Sequence, residues 1–209
     1  MLQRVAFAVA GTQVEGVLHL PDGETLGGVA DLPARTGLGE PGAFLCTALA
    51  AAGIAALRFD SRVPDDVAAN LADAAGAIRL LRAHPAIPQR VGVVGHSYGG
   101  AIAGIAAGRD SRIRSAALLV PPAERDYFGT VKPMAELSRT RAKVLLVGAT
   151  ADVVVPPEHT ERYAILLRQA GVAHRVVRID GADHQFTLPA HRAAMVEAVT
   201  AWFRETLAG

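Results

Sequence analysis

The chain lacks several features that mark common classes of protein. Cys46 is the single cysteine among 209 residues, so no internal disulfide can form, and its apolar helical surroundings favour inert packing. Lysine and arginine (21) balance aspartate and glutamate (20) with no basic block, which argues against nucleic acid or an anionic membrane as the partner. No apolar run reaches membrane-spanning length, and no His, Cys and carboxylate set has metal-site spacing. We therefore expect no membrane partner, no metal and no cofactor.

The composition that remains is globular. Hydrophobic residues make up 51% and charged residues 20% of the chain, enough apolar side chains for a substantial core. The length fits a single domain over residues 1–209. The first residues have strand character without the layout of a signal peptide, so we expect a cytoplasmic location. We also expect a monomer or a homodimer.

Strand and helix patterns alternate along most of the chain. A β-hairpin is predicted near residues 3–20, and a short apolar piece at 26–32 follows it. Further strands are predicted at 54–60, 91–95, 113–120, 143–148 and 174–179, and helices at 43–52, 65–83, 101–107, 158–170 and 190–207. This order predicts an α/β fold with a mostly parallel central sheet, helices on both faces and an antiparallel start. Residues 121–141 have no strand character and are too few for a full helical lid, which leaves a short cap-like excursion.

One stretch carries a specific chemical pattern. A short apolar run from Val91 meets Gly95-x-Ser97-x-Gly99 and continues as a helix of small residues. A serine at such a sharp strand-to-helix turn needs neighbours without Cβ atoms, which the two glycines supply. The following N–H groups lie at a helix N-terminus, where developing negative charge is stabilised. The pattern and its strand–turn–helix context are those of a nucleophile elbow.

An acid and a base follow in suitable places. Ligands of parallel α/β sheets bind beyond the carboxyl ends of the strands, where Ser97, Asp152 and His184 are all expected. A serine hydroxyl needs an imidazole to accept its proton, and the imidazole needs a carboxylate to fix its tautomer. Asp180 and Asp183 are alternative acids, although Asp183 adjoins His184 and would have difficulty facing its ring.

Three segments together resemble a known family. Residues 95–100 (GHSYGG), 148–156 (GATADVVVP) and 181–186 (GADHQF) are similar to the elbow, acid loop and histidine loop of the α/β-hydrolase superfamily. Within it, the chain resembles the small, nearly capless dienelactone-hydrolase-like and prolyl-oligopeptidase-like branch. The resemblance implies an α/β-hydrolase fold with a minimal cap, Ser97 as nucleophile, His184 as base and Asp152 as its orienting acid. His96, inside the elbow, is expected to pack beside the nucleophile without acting as the base.

The oxyanion hole departs from the family pattern. One donor should be the backbone N–H of Tyr98. In the family the other donor follows the third strand, usually marked by His-Gly, whereas this chain has residues 29–35 (VADLPAR) there. Leu32 or a neighbour is the expected donor, because Pro33 has no N–H. Asp31 either turns outward and caps the loop or points inward and weakens the site, and the sequence leaves both open.

The expected function is cleavage of a small-molecule ester, thioester or lactone by a serine hydrolase through an acyl-enzyme. Tyr127, Phe128 and Met134 are the apolar members of the excursion, and they either line an acyl pocket or cover the sheet edge. Two other functions stay open. One is a non-hydrolytic enzyme of lyase or cyclase type on the same fold, motivated by the unusual Asp31 region. The other is a binding protein with a vestigial site.

Overall fold

The computed structural model describes residues 1–33, 38 and 40–208, without the side chains of residues 40, 41 and 127. The chain begins with the predicted hairpin of β1 (Leu2–Val9) and β2 (Thr12–His19). Its turn residues Ala10 and Gly11 both have positive φ, 49° and 81°, as a tight two-residue hairpin turn requires. β2 also pairs antiparallel with β4 (Ala55–Phe59), so the antiparallel start is confirmed.

The remaining elements follow the predicted alternation closely. The other strands are β3 (Gly28–Leu32), β5 (Val91–His96), β6 (Ile113–Leu119), β7 (Lys143–Ala149) and β8 (His174–Ile179). The helices are α1 (Glu40–Ala51), α2 (Val67–Ala83), α3 (Tyr98–Arg109), α4 (Pro133–Leu137), α5 (Glu158–Gln169) and α6 (Pro189–Leu207). The predicted apolar piece at 26–32 is the strand β3, which lies between two other strands.

The described strands form one eight-stranded sheet in the order β1-β2-β4-β3-β5-β6-β7-β8. From β4 to β8 all neighbouring strands are parallel. Parallel strands are joined by helices that cover both faces, so their side chains are buried on both sides. The fold class is therefore the expected one, and the carboxyl ends of β3, β5, β7 and β8 share one edge.

Two cores sandwich the sheet. One face packs against α2, α3 and α5, with Ile78, Ile102 and Leu167 among the buried side chains. The other face packs against α1 and α6, with Leu49 and Phe203 buried there. Cys46 is fully buried in this second core, in agreement with inert packing.

The excursion at residues 121–141 contains a single 3-10 turn (Asp126–Phe128) and the five-residue α4. Leu137 of α4 is fully buried in the first core. The approach to α3 is close: a Cβ built on Gly108 would lie 2.0 Å from the Glu136 carbonyl oxygen. The segment is thus packed on α3. Among the described helices, none is both long enough and apolar enough to cross a membrane.

Candidate active site

Ser97 occupies the turn between β5 and α3. Its φ of 55° and ψ of −121° form a conformation that costs energy for a residue with a side chain, and such strain is concentrated at functional sites. A Cβ on Gly95 would lie 2.2 Å from the Gly99 carbonyl oxygen, and one on Gly99 would lie 2.1 Å from the Leu32 carbonyl oxygen. Both positions therefore require glycine, and together they hold the serine at the carboxyl end of the central strand.

The three side chains singled out from the sequence meet in one hydrogen-bonded chain. The Ser97 hydroxyl donates to Nε2 of His184 at 2.9 Å, and Nδ1–H of His184 donates to Oδ2 of Asp152 at 2.6 Å. With the hydroxyl as the donor to Nε2, a proton on Nδ1 completes the chain to Asp152. His184 and Asp152 are only 7% and 4% exposed, so both contacts are shielded from water. The 87- and 32-residue separations are closed by the sheet, which brings the ends of β5, β7 and β8 to one edge.

The carboxylate of Asp152 is fixed by the loop that contains it. Its Oδ1 accepts hydrogen bonds from the backbone N–H groups of Val154 and Val155, both at 2.8 Å. Oδ2 is then available to His184. The two N–H donors thus fix the orientation of the carboxyl group toward the imidazole.

The two alternative acids are engaged elsewhere. Asp180 accepts a hydrogen bond from the Thr150 hydroxyl at 3.0 Å. Asp183 is exposed and accepts one from the Thr187 N–H at 2.8 Å, and its hydrogen bonds to Thr187 lower the pKa of its carboxyl. Both stabilise the histidine loop, while the hydrogen bond to the His184 ring comes from Asp152.

His96 packs beside the elbow, as expected from its position. Its ring centroid lies 4.9 Å from that of His184, and Nε2–H donates to the main-chain oxygen of His184 at 2.6 Å. Sequence reasoning anticipated the packing but missed this hydrogen bond, because no local pattern reports a contact across 88 residues.

The two residues expected to supply the oxyanion donors lie beside the elbow. Tyr98 directly follows Ser97 and is the first residue of α3. Leu32 is the last residue of β3 and is in register with Gly95 of β5. The close approach of Gly99 to the Leu32 carbonyl places the end of β3 directly against the first turn of α3. The geometry thus brings Leu32 and Tyr98 to the same small region beside Ser97.

Asp31 requires a correction. Residues 29–35 were compared with the family's loop after the third strand, but residues 29–32 lie in the third strand β3 itself, with Asp31 in register with Arg58 of β4. Alternation along the strand points Asp31 to the face covered by α1, beside Cys46, and Leu32 to the opposite face. Burial raises the pKa of the Asp31 carboxyl to about 7, although the Arg58 charge acts in the other direction. Asp31 is therefore a strand residue under α1, neither a loop cap nor an inward-pointing loop residue.

A buried polar cluster on this face was not anticipated. Arg58 donates through Nε to Nε2 of His19 at 2.9 Å and through Nη1 to the Leu38 carbonyl oxygen. His19 is 2% exposed, and burial together with the Arg58 charge lowers its pKa to about 4. The alternation of side chains along β2 and β4 predicts that both side chains lie on the α1 face, but it does not predict the hydrogen bond between them.

The proposed substrate-contacting residues have different surroundings. Phe128 is 3% exposed and its ring stacks on that of Tyr98, with centroids 5.7 Å apart and planes 6° apart. Met134 is partly buried and packs against the first core. The side chain of Tyr127 lies outside the described part of the structure. Phe128 thus lies next to the elbow, and a substrate-contacting role for it, Tyr127 and Met134 stays a prediction.

The polar groups around Ser97 form a set suited to acyl transfer. They comprise a hydroxyl, an imidazole, a carboxylate and backbone N–H groups. Within residues 1–33, 38 and 40–208, no group of three or more His, Cys, Asp or Glu side chains is placed to hold a metal ion.

Known proteins share the fold and a sequence family with this chain. No curated protein sequence matches it significantly. A putative dienelactone hydrolase from Klebsiella pneumoniae superposes with a TM-score of 0.86 at 19% identity, covering 98% of each chain. Est1E from Butyrivibrio proteoclasticus gives 0.84 at 17% identity, again over 98% of each chain. The structure of DcsB in complex with its substrate analogue gives 0.89 at 14% identity over 100% of both chains.

These structural similarities establish the α/β-hydrolase fold. The sequence adds a more specific result, because the model of the dienelactone hydrolase family matches residues 46–207, which include Ser97, Asp152 and His184. The chain therefore belongs to the dienelactone hydrolase family.

Proposed function

We propose that this protein is a serine hydrolase that cleaves a carboxylic ester, thioester or lactone through an acyl-enzyme intermediate. The observation that carries the proposal is the continuous hydrogen-bonded chain from the Ser97 hydroxyl through His184 to Asp152. The family match supports a hydrolase that acts on esters or lactones. Structural neighbours described as a dienelactone hydrolase and an esterase domain are consistent with that chemistry.

In the first half-reaction Ser97 Oγ attacks the carbonyl carbon of the substrate. His184 Nε2 takes the hydroxyl proton as the new C–O bond forms, and Asp152 stabilises the resulting imidazolium. The tetrahedral oxyanion accepts hydrogen bonds from the backbone N–H groups of Tyr98 and Leu32. When the intermediate collapses, the bond to the leaving group breaks, and His184 returns its proton to the departing oxygen or sulfur.

In the second half-reaction a water molecule replaces the leaving group. His184 Nε2 removes a proton from the water as its oxygen attacks the acyl-enzyme carbonyl. The second tetrahedral intermediate uses the same two N–H donors and then releases the carboxylic acid, with the proton returned to Ser97. No external oxidant or cofactor takes part in this cycle.

A fluorophosphonate probe tests the proposal directly. The wild-type protein, Ser97→Ala, His184→Ala and the control Ser138→Ala would be treated with the probe, and the adducts located by mass spectrometry. Ser138 is a suitable control because its hydroxyl donates to the Ala135 carbonyl oxygen within its own turn, at 2.9 Å. We expect labelling at Ser97 that requires His184, and ester turnover in Ser97→Ala lower by about 10³- to 10⁶-fold.

Two results would contradict the proposal. A folded Ser97→Ala variant with undiminished ester turnover would remove the nucleophile from the mechanism. Absence of labelling in well-folded wild-type protein would favour a non-hydrolytic lyase or cyclase, or a vestigial binding site. Circular dichroism and thermal unfolding establish that each variant is folded.

A further inference from the structure

His96 connects the strand that carries Ser97 to the loop that carries His184. It is the last residue of β5, directly before Ser97, and donates from Nε2 to the His184 main-chain oxygen at 2.6 Å. Ser97 itself donates to the His184 ring at 2.9 Å. Two adjacent residues therefore bind His184: His96 binds its main-chain oxygen, and Ser97 binds its ring.

The loop around His184 depends on such contacts for its position. It runs between β8 and α6 without regular structure, and Gly181 and Phe186 have positive φ values of 67° and 50°. The hydrogen bond to Asp152 fixes one ring nitrogen of His184, and backbone hydrogen bonds from Ala151 to Ala182 and from Phe186 to Asp183 hold the loop on either side of it. The hydrogen bond from His96 restrains the main chain at the same residue, so ring and backbone are both fixed.

The surroundings of His96 favour an uncharged donor. The rings of His184 and Phe186 lie 4.9 Å and 6.2 Å from its own, centroid to centroid. Burial lowers the pKa of His96 to about 4, while its hydrogen bond to the His184 backbone and the Asp152 charge act in the opposite direction. The imidazole is thus neutral at pH 7 and places no positive charge beside the imidazolium that forms on His184.

We propose that His96 is a positioning residue, whose hydrogen bond to the main chain of His184 sets the distance between that imidazole and the Ser97 hydroxyl. The proposal rests on the hydrolase function proposed above. It assigns to His96 an effect on the rate of the chemical step rather than on substrate binding, because His96 contacts the base and not the reacting atoms.

Two substitutions separate the hydrogen bond from simple packing. His96→Leu removes the donor and keeps an apolar side chain, whereas His96→Gln keeps an N–H donor near the position of Nε2. His174→Leu is the matched control, since Nδ1 of His174 also hydrogen-bonds a main-chain oxygen, that of Val172 at 2.8 Å, but at the start of β8. Each variant would be assayed for kcat and KM on p-nitrophenyl acetate.

We expect kcat of His96→Leu to fall by about 10- to 100-fold with KM changed less than about 2-fold, the loss typical of a displaced reacting group. His96→Gln should recover most of that loss, and His174→Leu should retain wild-type kcat. Equal kcat in His96→Leu and wild type would overturn the proposal. Equal impairment of His96→Leu and His96→Gln would also overturn it, because packing alone would then explain the effect.

A second measurement does not depend on turnover. In protein labelled with ¹⁵N-histidine, the Nδ1–H resonance of His184 reports its hydrogen bond to Asp152. We expect this resonance to shift or exchange faster in His96→Leu and to be unchanged in His174→Leu. An unchanged resonance in a folded His96→Leu variant overturns the positioning role, whereas absent ester turnover in the wild type overturns the proposed function instead.

Discussion

On one side of Ser97 the loops after β7 and β8 are joined by hydrogen bonds, whereas on the other side the end of β3 is held by backbone packing. The acid–base side contains Asp152, His184 and a backbone bond from Ala151 N–H to the Ala182 carbonyl oxygen at 2.9 Å. The oxyanion side depends on the approach of Gly99 to Leu32. The acid–base region is thus held in place by hydrogen bonds of Asp152 and His184. The oxyanion region is held by a close backbone approach that only glycine at position 99 allows.

The largest fall in kcat is expected for a substitution on the acid–base side, at Asp152. Asp152→Asn keeps the volume of the side chain but removes the charge that selects the His184 tautomer. We expect kcat for ester hydrolysis to fall by about 10³- to 10⁴-fold, as measured by steady-state kinetics. The control Asp183→Asn, in the exposed part of the histidine loop, should stay within a few-fold of wild type. If Asp183→Asn lost activity and Asp152→Asn retained it, Asp183 and not Asp152 would be the residue that orients His184.

The oxyanion side should respond to added volume. In Gly99→Ala the new Cβ would lie 2.1 Å from the Leu32 carbonyl oxygen, so β3 and α3 must move apart. We expect kcat to fall by about 10²-fold, since a displaced oxyanion donor costs this much, and stability to fall by about 1–3 kcal/mol. Gly23→Ala is the matched control, because its Cβ meets no atom within 4 Å. Wild-type kcat in Gly99→Ala would show that the approach of Leu32 is unimportant to the reaction.

The smallest effect is expected beneath the oxyanion strand, at Asp31, and it should depend on pH. The raised pKa of about 7 means that folded protein retains a proton which the unfolded chain has lost above about pH 4. This contribution to stability is complete below the unfolded pKa and is lost as pH rises to 7. The stability of Asp31→Asn relative to wild type should therefore increase as the pH rises from 4 to 7. At pH 8 the increase in the free energy of unfolding should be on the order of 1–3 kcal/mol, after allowance for the partial exposure of Asp31.

Urea unfolding of both proteins at several pH values measures this difference. His19 and His96 have pKa values lowered to about 4, so their contributions to the stability of the folded protein are lost as pH falls from about 6.5 towards 4. These contributions cancel when the Asp31→Asn variant is compared with wild type at each pH. Asp22→Asn, at a fully exposed carboxyl, is the control and should show no such trend. A difference between Asp31→Asn and wild type that is constant with pH would contradict a buried, protonated carboxyl.

The sequence predicted most of the fold because its signals are local. Alternating strand and helix patterns located the elements, and the Gly-x-Ser-x-Gly spacing located the bend between β5 and α3. β3 was predicted only as a short apolar piece at 26–32, because the strand is five residues long and contains a carboxylate. Parallel pairing with β4 and β5 on both sides stabilises it as a strand, and Arg58 lies beside Asp31 on the same face.

By itself, the sequence determined which residue types are present, in which order, and at which ends of predicted strands they fall. That was enough to single out Ser97, Asp152 and His184 and to predict that His96 is not the base. Tertiary structure decided which aspartate contacts the histidine, where Asp31 points, and that His96 binds the backbone of His184. The physical reason is distance along the chain: these contacts join residues 32 to 88 positions apart, or depend on neighbouring strands, and exist only once the sheet has formed.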